Sequence, residues 1–264
     1  MEFYMNRPYF SNKKTVIAAI MEGMTPGEII AVSRTAESDG ADAICLSLRE
    51  LQPEFRNKDN FARIFSSVSL PFMVYFYREN AHGPALADDD RQKILLEAAN
   101  AGASVIDVMG DLYEPNSVTQ RATGKRAVSR QKKLIDKIHS IGALVVMSSH
   151  SSIFMNAEQT LEQLKDFESR GADIAKIVMP VNTEEEFTES VKTTMMLQRE
   201  LKVPFIHLAG GKFARIQRFL GMSLGVATTF AVAQYNPRNP MFQPSVHAMR
   251  EVRDAYRWHI SDLR

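Results

Sequence analysis

The chain has 264 residues, 45% of them hydrophobic, and a formal charge of +1. Such a length can bury one large core, and the near-neutral balance gives no electrostatic reason to expect nucleic acid or a membrane surface as partner. One cysteine excludes an internal disulfide and fits a reducing, cytoplasmic setting. The N-terminal Met1-Glu-Phe-Tyr-Met-Asn-Arg-Pro has no signal-peptide core, and no stretch approaches the roughly 18 apolar residues of a membrane span.

Eight apolar segments read as strands, at 15–20, 42–48, 71–76, 104–109, 143–148, 173–178, 204–208 and 224–229. Helical patterns lie between them, among them 91–100, 129–140, 157–169 and 184–201. Asn182-Thr183 ahead of Glu184-Glu-Glu-Phe is an N-terminal cap with acidic residues in the first turn. One joint recurs four times, a polar helix end followed by Gly-Ala and an apolar strand: Gly40-Ala41, Gly102-Ala103, Gly142-Ala143 and Gly171-Ala172. Glycine supplies a left-handed helix cap, and repetition of the joint implies βα units with parallel strands. Eight such units in one chain of this size predict a single-domain (β/α)8 barrel over residues 1–264, with its active site at the C-terminal strand ends. The alternative is an open doubly wound sheet, although no Gly-x-Gly-x-x-Gly follows the first strand. The irregular parts, at 80–90, 113–125 and 236–244, are loop-sized.

Chemistry concentrates in the middle of the chain. Lys176 lies inside Gly171-Ala-Asp-Ile-Ala-Lys-Ile-Val-Met-Pro180, where burial lowers the pKa of an amine toward that of a Schiff-base nucleophile. The other reading is a strand-end lysine reaching to water. His150 ends the preceding strand, Ala143-Leu-Val-Val-Met-Ser-Ser-His, and the two side chains make a nucleophile and a general acid–base. A histidine satisfied structurally is the alternative. Gly210-Gly211-Lys212, with Gly225, offers either a phosphate cup or ordinary turns. Arg215 serves as an anion clamp or as a solvated helix side chain. Asn239-Pro-Met-Phe-Gln243 would form a flap over the barrel mouth, from which Gln243 could donate to a substrate oxygen. Cys45 and Ser47 alternate toward one face of the second strand, Cys45 as core rather than nucleophile. The six histidines are scattered, and no cluster has metal-ligand spacing.

From about residue 15 to 250 the chain resembles the type I 3-dehydroquinate dehydratases of the shikimate pathway. The resemblance rests on Ser-Ser-His150, the Lys176 strand, Arg215, Gly225-Val-Ala-Thr-Thr-Phe230 and Gln243. It implies a cofactor-free barrel, usually a homodimer, acting on a small-molecule keto acid. Lys176 would form the Schiff base, His150 would move the proton, and Arg215 and Gln243 would hold the carboxylate. The pattern departs elsewhere. Cys45 and Ser47 stand where the family has Glu-x-Arg for substrate hydroxyls, so Ser47 takes a substrate-facing place. Phe76-Tyr77 stands where it has Phe-Arg, and Ala81 or His82 lies near its histidine-orienting glutamate. Asn239 opens the segment in the place of its Ser-Ala-Pro-Gly-Gln flap. The expected function is Schiff-base dehydration of 3-dehydroquinate to 3-dehydroshikimate. Alternatives are the same chemistry on another keto acid, a phosphosugar aldolase, and a non-catalytic metabolite-binding barrel.

Overall fold

Strands and helices alternate along the whole of the computed structural model, which describes residues 9–10, 15–82, 85–235, 243–255 and 259–260. In order they are β1 (Val16–Met21), α1 (Pro26–Ser38), β2 (Ala43–Ser47), α2 (Lys58–Phe65), β3 (Phe72–Tyr75), α3 (Asp88–Asn100), β4 (Val105–Met109) and α4 (Lys125–Ile141). There follow β5 (Leu144–His150), α5 (Ala157–Ser169), β6 (Ile174–Pro180), α6 (Glu184–Glu200), β7 (Phe205–Gly210), α7 (Ala214–Ser223), β8 (Thr228–Ala231) and α8 (Val246–Ala255). The strands are all parallel in the order β7-β6-β5-β4-β3-β2-β1-β8. At the base of β8, Ala227 N–H donates to Phe205 O at 2.8 Å and draws the two ends of the sheet together. The architecture is the (β/α)8 barrel that the alternation predicts. Among the described residues, no helix is long and apolar enough to cross a membrane.

The Gly-Ala joints behave as expected. Gly40, Gly102, Gly142 and Gly171 have φ of 87°, 107°, 108° and 102°, in the left-handed region that a side chain disfavours. In each, the following alanine N–H returns to a carbonyl five residues back, as from Ala41 to Ala36 and from Ala143 to Ile138. Gly225-Val226 is a fifth copy, with φ of 95° and Val226 N–H bonded to Gly221 O. The eighth strand therefore begins at Thr228 rather than at 224, because Leu224 and Gly225 still cap α7. Helices α3 and α4 start earlier than the apolar pattern suggests. Asp88-Asp89-Asp90 fills the first turn of α3, where carboxylates meet the unpaired N–H groups of a helix start. Asn156 and Thr183 both form capping boxes, on α5 and α6.

Alternation along the strands separates two cores. Ile17, Ala19, Ile44, Leu46, Phe72, Val74, Ile106 and Val108 face the helices. Val16, Ala18, Ala43, Cys45, Met73, Val105, Val146, Ile174 and Ile206 fill the barrel. This lower plug is apolar. The next inward-facing layer, toward the C-terminal strand ends, changes character and becomes polar.

Candidate active site

Register sets the polar layer. Ser148 pairs with Lys176 across β5 and β6, and His150 pairs with Val178 two residues higher. Lys176 is 5% exposed and Asp107, on β4, is 3% exposed. Ion pairs this deep persist only when every polar atom finds a partner. Here they do. Lys176 Nζ donates to Tyr77 Oη at 2.9 Å and lies 3.5 Å from Asp107 Oδ2. Tyr77 donates to Asp107 Oδ2 at 3.0 Å, and Ser148 donates to Asp107 Oδ1 at 2.6 Å. The lysine therefore does not reach out to water. It is held in a network drawn from four consecutive strand ends. Phe230 covers it from β8, with Nζ 5.2 Å from the ring centroid.

His150 sits above this network at the end of β5. Its backbone N–H donates to Gln120 Oε1 at 2.8 Å, and Ser149 Oγ bonds Thr119 O at 2.7 Å. The β4–α4 loop thus fixes the strand end, while Gln120 adopts a positive φ of 47°. Among the described residues the imidazole makes no hydrogen bond. It packs edge-on against Tyr77, with centroids 5.0 Å apart at 71°. Tyr77 consequently touches both Lys176 and His150. Burial, and then the positive charges of Lys176 and Arg218, hold the imidazole well below its ordinary pKa of 6.5. It is a neutral base at physiological pH. Burial raises the Asp107 carboxyl above the usual carboxylate range against the opposing pull of Lys176. Burial also raises the Tyr77 hydroxyl, further helped by the Asp107 charge.

Arg215 is not brought to this layer. It is exposed on α7, with Nη2 3.4 Å from Tyr235 Oη. The buried arginine is Arg218, one turn further on, whose Nη2 donates to Ala209 O at 3.4 Å. Helix α7 turns Ala214, Gln217, Arg218, Gly221 and Met222 toward the barrel, so positions 215 and 216 face solvent. Gln217 fastens this face to β7, accepting from Ala209 N–H at 2.9 Å and donating to His207 O at 3.0 Å. Burial pushes the Arg218 guanidinium down to about 10, and its charge is felt at His150. The heptad-like spacing of that buried face was available in the sequence and separates the two arginines.

The remaining expected residues divide. Gln243 is buried at the end of β8, its position set by Val232 N–H donating to Pro244 O at 3.0 Å, and its Oε1 has no hydrogen-bond partner among the described residues. Ser47 is buried on the inward face of β2 beside Tyr75, its register partner on β3. Cys45 lies below it, and burial pushes the thiol up to about 12, which suits a packing role. Asn239 lies outside the described residues. The two charged residues after β3 are turned away from the barrel: Arg78 Nη1 bonds both oxygens of Asp111 at 2.9 Å, and Glu79 pairs with Arg49 at 3.4 Å. Arg49 also chelates Glu50, which stands 3.5 Å from His82. The glycine turn offers no phosphate cup, since Lys212 N–H bonds Asn182 Oδ1 at 3.2 Å and Phe213 N–H bonds Val181 O at 3.1 Å. Gly225 lies at the opposite end of the barrel, before β8. Among the described residues, no group of three His, Cys, Asp or Glu side chains could hold a metal ion.

Comparison with known proteins decides the family. The family model described as type I 3-dehydroquinase matches residues 17–261. The chain belongs to the type I 3-dehydroquinase family. Its sequence is 25% identical over 257 residues to a 3-dehydroquinate dehydratase of Klebsiella pneumoniae, covering 93% of this chain and 94% of that one. A shorter match, 33% over 105 residues, joins it to the corresponding protein of Alkaliphilus oremlandii, covering 39% of this chain and 41% of that one. The 3-dehydroquinate dehydratase of Geobacillus kaustophilus has the same fold, with a TM-score of 0.78 at 17% identity over 92% of this chain and 91% of that one. The type I enzyme of Clostridium difficile, solved with covalently modified comenic acid, gives 0.77 at 17% identity over 92% and 93%. The chain has a similar fold to other proteins too, including the carboxyl transferase domain of Rhizobium etli pyruvate carboxylase, at a TM-score of 0.62 and 12% identity over 94% of this chain and 44% of that one.

Proposed function

We propose that this type I 3-dehydroquinase dehydrates 3-dehydroquinate to 3-dehydroshikimate through a Schiff base on Lys176. The observation that carries the proposal is the placing of a buried amine and a neutral imidazole at adjacent strand ends, with Tyr77 in contact with both. The Lys176 amine attacks the ketone carbon, and loss of water leaves an iminium. That cation draws electrons from the neighbouring C–H bond, whose proton His150 takes. The electrons then expel the hydroxyl one carbon further on, and His150 returns the proton to it as it leaves as water. Hydrolysis of the conjugated iminium frees product and amine. Arg218 supplies the fixed positive charge for the substrate carboxylate, in the role first expected of Arg215, and the Gln243 amide borders the same end. Continuous absorbance of the enone product on addition of 3-dehydroquinate tests the proposal, and absence of product at any enzyme concentration defeats it.

A second reading is favoured by one observation. The wall formed by Cys45, Ser47, Tyr75 and Tyr77 is uncharged, while Arg49 and Arg78 are held in ion pairs elsewhere. A keto acid with fewer hydroxyl groups than 3-dehydroquinate would suit it, by the same Schiff-base chemistry. A panel of cyclic and linear oxo acids in the same assay separates the two readings. We further propose a homodimer working in the cytoplasm. The single, buried cysteine supports the reducing compartment and the family resemblance supports the dimer. Light scattering at working concentration checks the subunit count.

A further inference from the structure

We propose that Tyr77 and Asp107 form the proton relay that activates Lys176. The inference rests on the Schiff-base reading for its purpose, and on the geometry for its content. An amine that arrives as an ammonium must lose a proton before it attacks a carbonyl. Among the described residues, two oxygen atoms lie in reach of Nζ: Tyr77 Oη at 2.9 Å and Asp107 Oδ2 at 3.5 Å. They are joined to each other at 3.0 Å, so the three groups form a closed triangle. Ser148 holds the second carboxylate oxygen at 2.6 Å and fixes the plane of Asp107. The phenol is aimed correctly for transfer, because it accepts from the nitrogen and donates to the carboxylate. The imidazole of His150 packs edge-on against the Tyr77 ring and makes no hydrogen bond among the described residues.

The step balances as follows. One Nζ proton passes to Tyr77 Oη as the phenolic proton passes to Asp107, leaving neutral amine and neutral carboxylic acid. The nitrogen lone pair forms the C–N bond, and the carbonyl π electrons move to oxygen. The second Nζ proton and the Asp107 proton are delivered through Tyr77 to that oxygen, which departs as water while the nitrogen lone pair forms the C=N bond. Ammonium plus ketone has become iminium plus water, and the carboxylate is restored. Burial raises the pKa of the Asp107 carboxyl, which suits a group that must hold this proton for an instant and then return it.

The test measures the amine directly and does not depend on the natural substrate. The intact protein is incubated with pyruvate, quenched at intervals with borohydride, and the adduct on Lys176 is quantified by peptide mass spectrometry. The relay predicts that Tyr77→Phe and Asp107→Asn each slow adduct formation by roughly 10²-fold, whereas Arg215→Met, outside this layer, labels at the wild-type rate. It also predicts that the Asp107→Asn rate climbs with pH over a range where the wild-type rate is level. Among the described residues, the titratable or charged groups facing this cluster are Cys45 on β2, Tyr75 on β3, His150 on β5 and Arg218 on α7, and all are unchanged in Tyr77→Phe and Asp107→Asn. Thermal unfolding of each variant separates lost chemistry from lost fold, and Tyr77→Phe keeps the ring that packs on His150. Wild-type labelling rates in both Tyr77→Phe and Asp107→Asn would overturn the relay, as would a wild-type protein that leaves Lys176 unlabelled. Normal pyruvate labelling without any 3-dehydroquinate adduct would instead refute the substrate assignment and leave the relay standing.

Discussion

Replacing His207 by leucine should flatten the acid limb of this protein's stability. His207 lies on the outer face of β7, fully buried beneath α6, with Nδ1 2.9 Å from Thr194 Oγ1. Thr194 also donates to Ser190 O at 2.9 Å, so its hydroxyl keeps a partner without the histidine. Burial alone pushes the imidazole down from 6.5 to about 4. The folded protein then refuses a proton that the unfolded chain accepts. The contribution of His207 is complete above pH 6.5 and is lost as the pH falls toward 4, a loss of about 3 kcal/mol across the window. At pH 5 about 2 kcal/mol has gone. Urea unfolding of wild type and His207→Leu between pH 4.5 and 7.5 measures the difference directly. Leucine is close in size, so the two proteins should differ little near pH 7 and diverge steadily below 6.5, the variant gaining on the wild type. Parallel acid limbs would refute the burial argument for this group.

Three further outcomes concern the site. Arg218→Met should raise KM for the carboxylate substrate by about 10- to 100-fold, the equivalent of losing one charge-assisted hydrogen bond, while Arg215→Met leaves steady-state kinetics unchanged; the reverse pattern would return the clamp to Arg215. His150→Ala should form the lysine adduct but turn over roughly 10²–10⁴-fold more slowly, which single-turnover quenching reads as iminium accumulating without enone. With the imidazole held well below 6.5, the acid limb of wild-type kcat should fall below that value, because the base stays unprotonated as the pH drops through 6.5; a limb centred at or above 6.5 would contradict the burial of His150.

The barrel was legible because its joints repeat. Four Gly-Ala turns and period-two apolar strands located every strand but one to within two residues at its start. The exception, β8, failed because Gly225 reads as part of an apolar run although it is the cap of α7. Lys176 and His150 were legible because each interrupts or ends such a run. Asp107 interrupts Val105-Ile-Asp-Val-Met109 in the same way and points inward by the same alternation. A single acid in a strand has no fixed meaning until a cation is known to face it, and that pairing spans 69 positions of chain between β4 and β6. The choice between Arg215 and Arg218 depended on which face α7 buries. Helical periodicity carries that answer, but only once the helix start at Ala214 is fixed. The turning away of Arg78 depends on Asp111 in another loop, which no local pattern reports.

The measurement closest to the central claim is borohydride trapping with 3-dehydroquinate, read by intact and peptide mass spectrometry while the enone absorbance is followed. The account predicts a single ligand-sized adduct, confined to Lys176, formed together with 3-dehydroshikimate and lost in Lys176→Ala along with all turnover. An adduct on another residue, or a Lys176→Ala protein that still turns over, would contradict it.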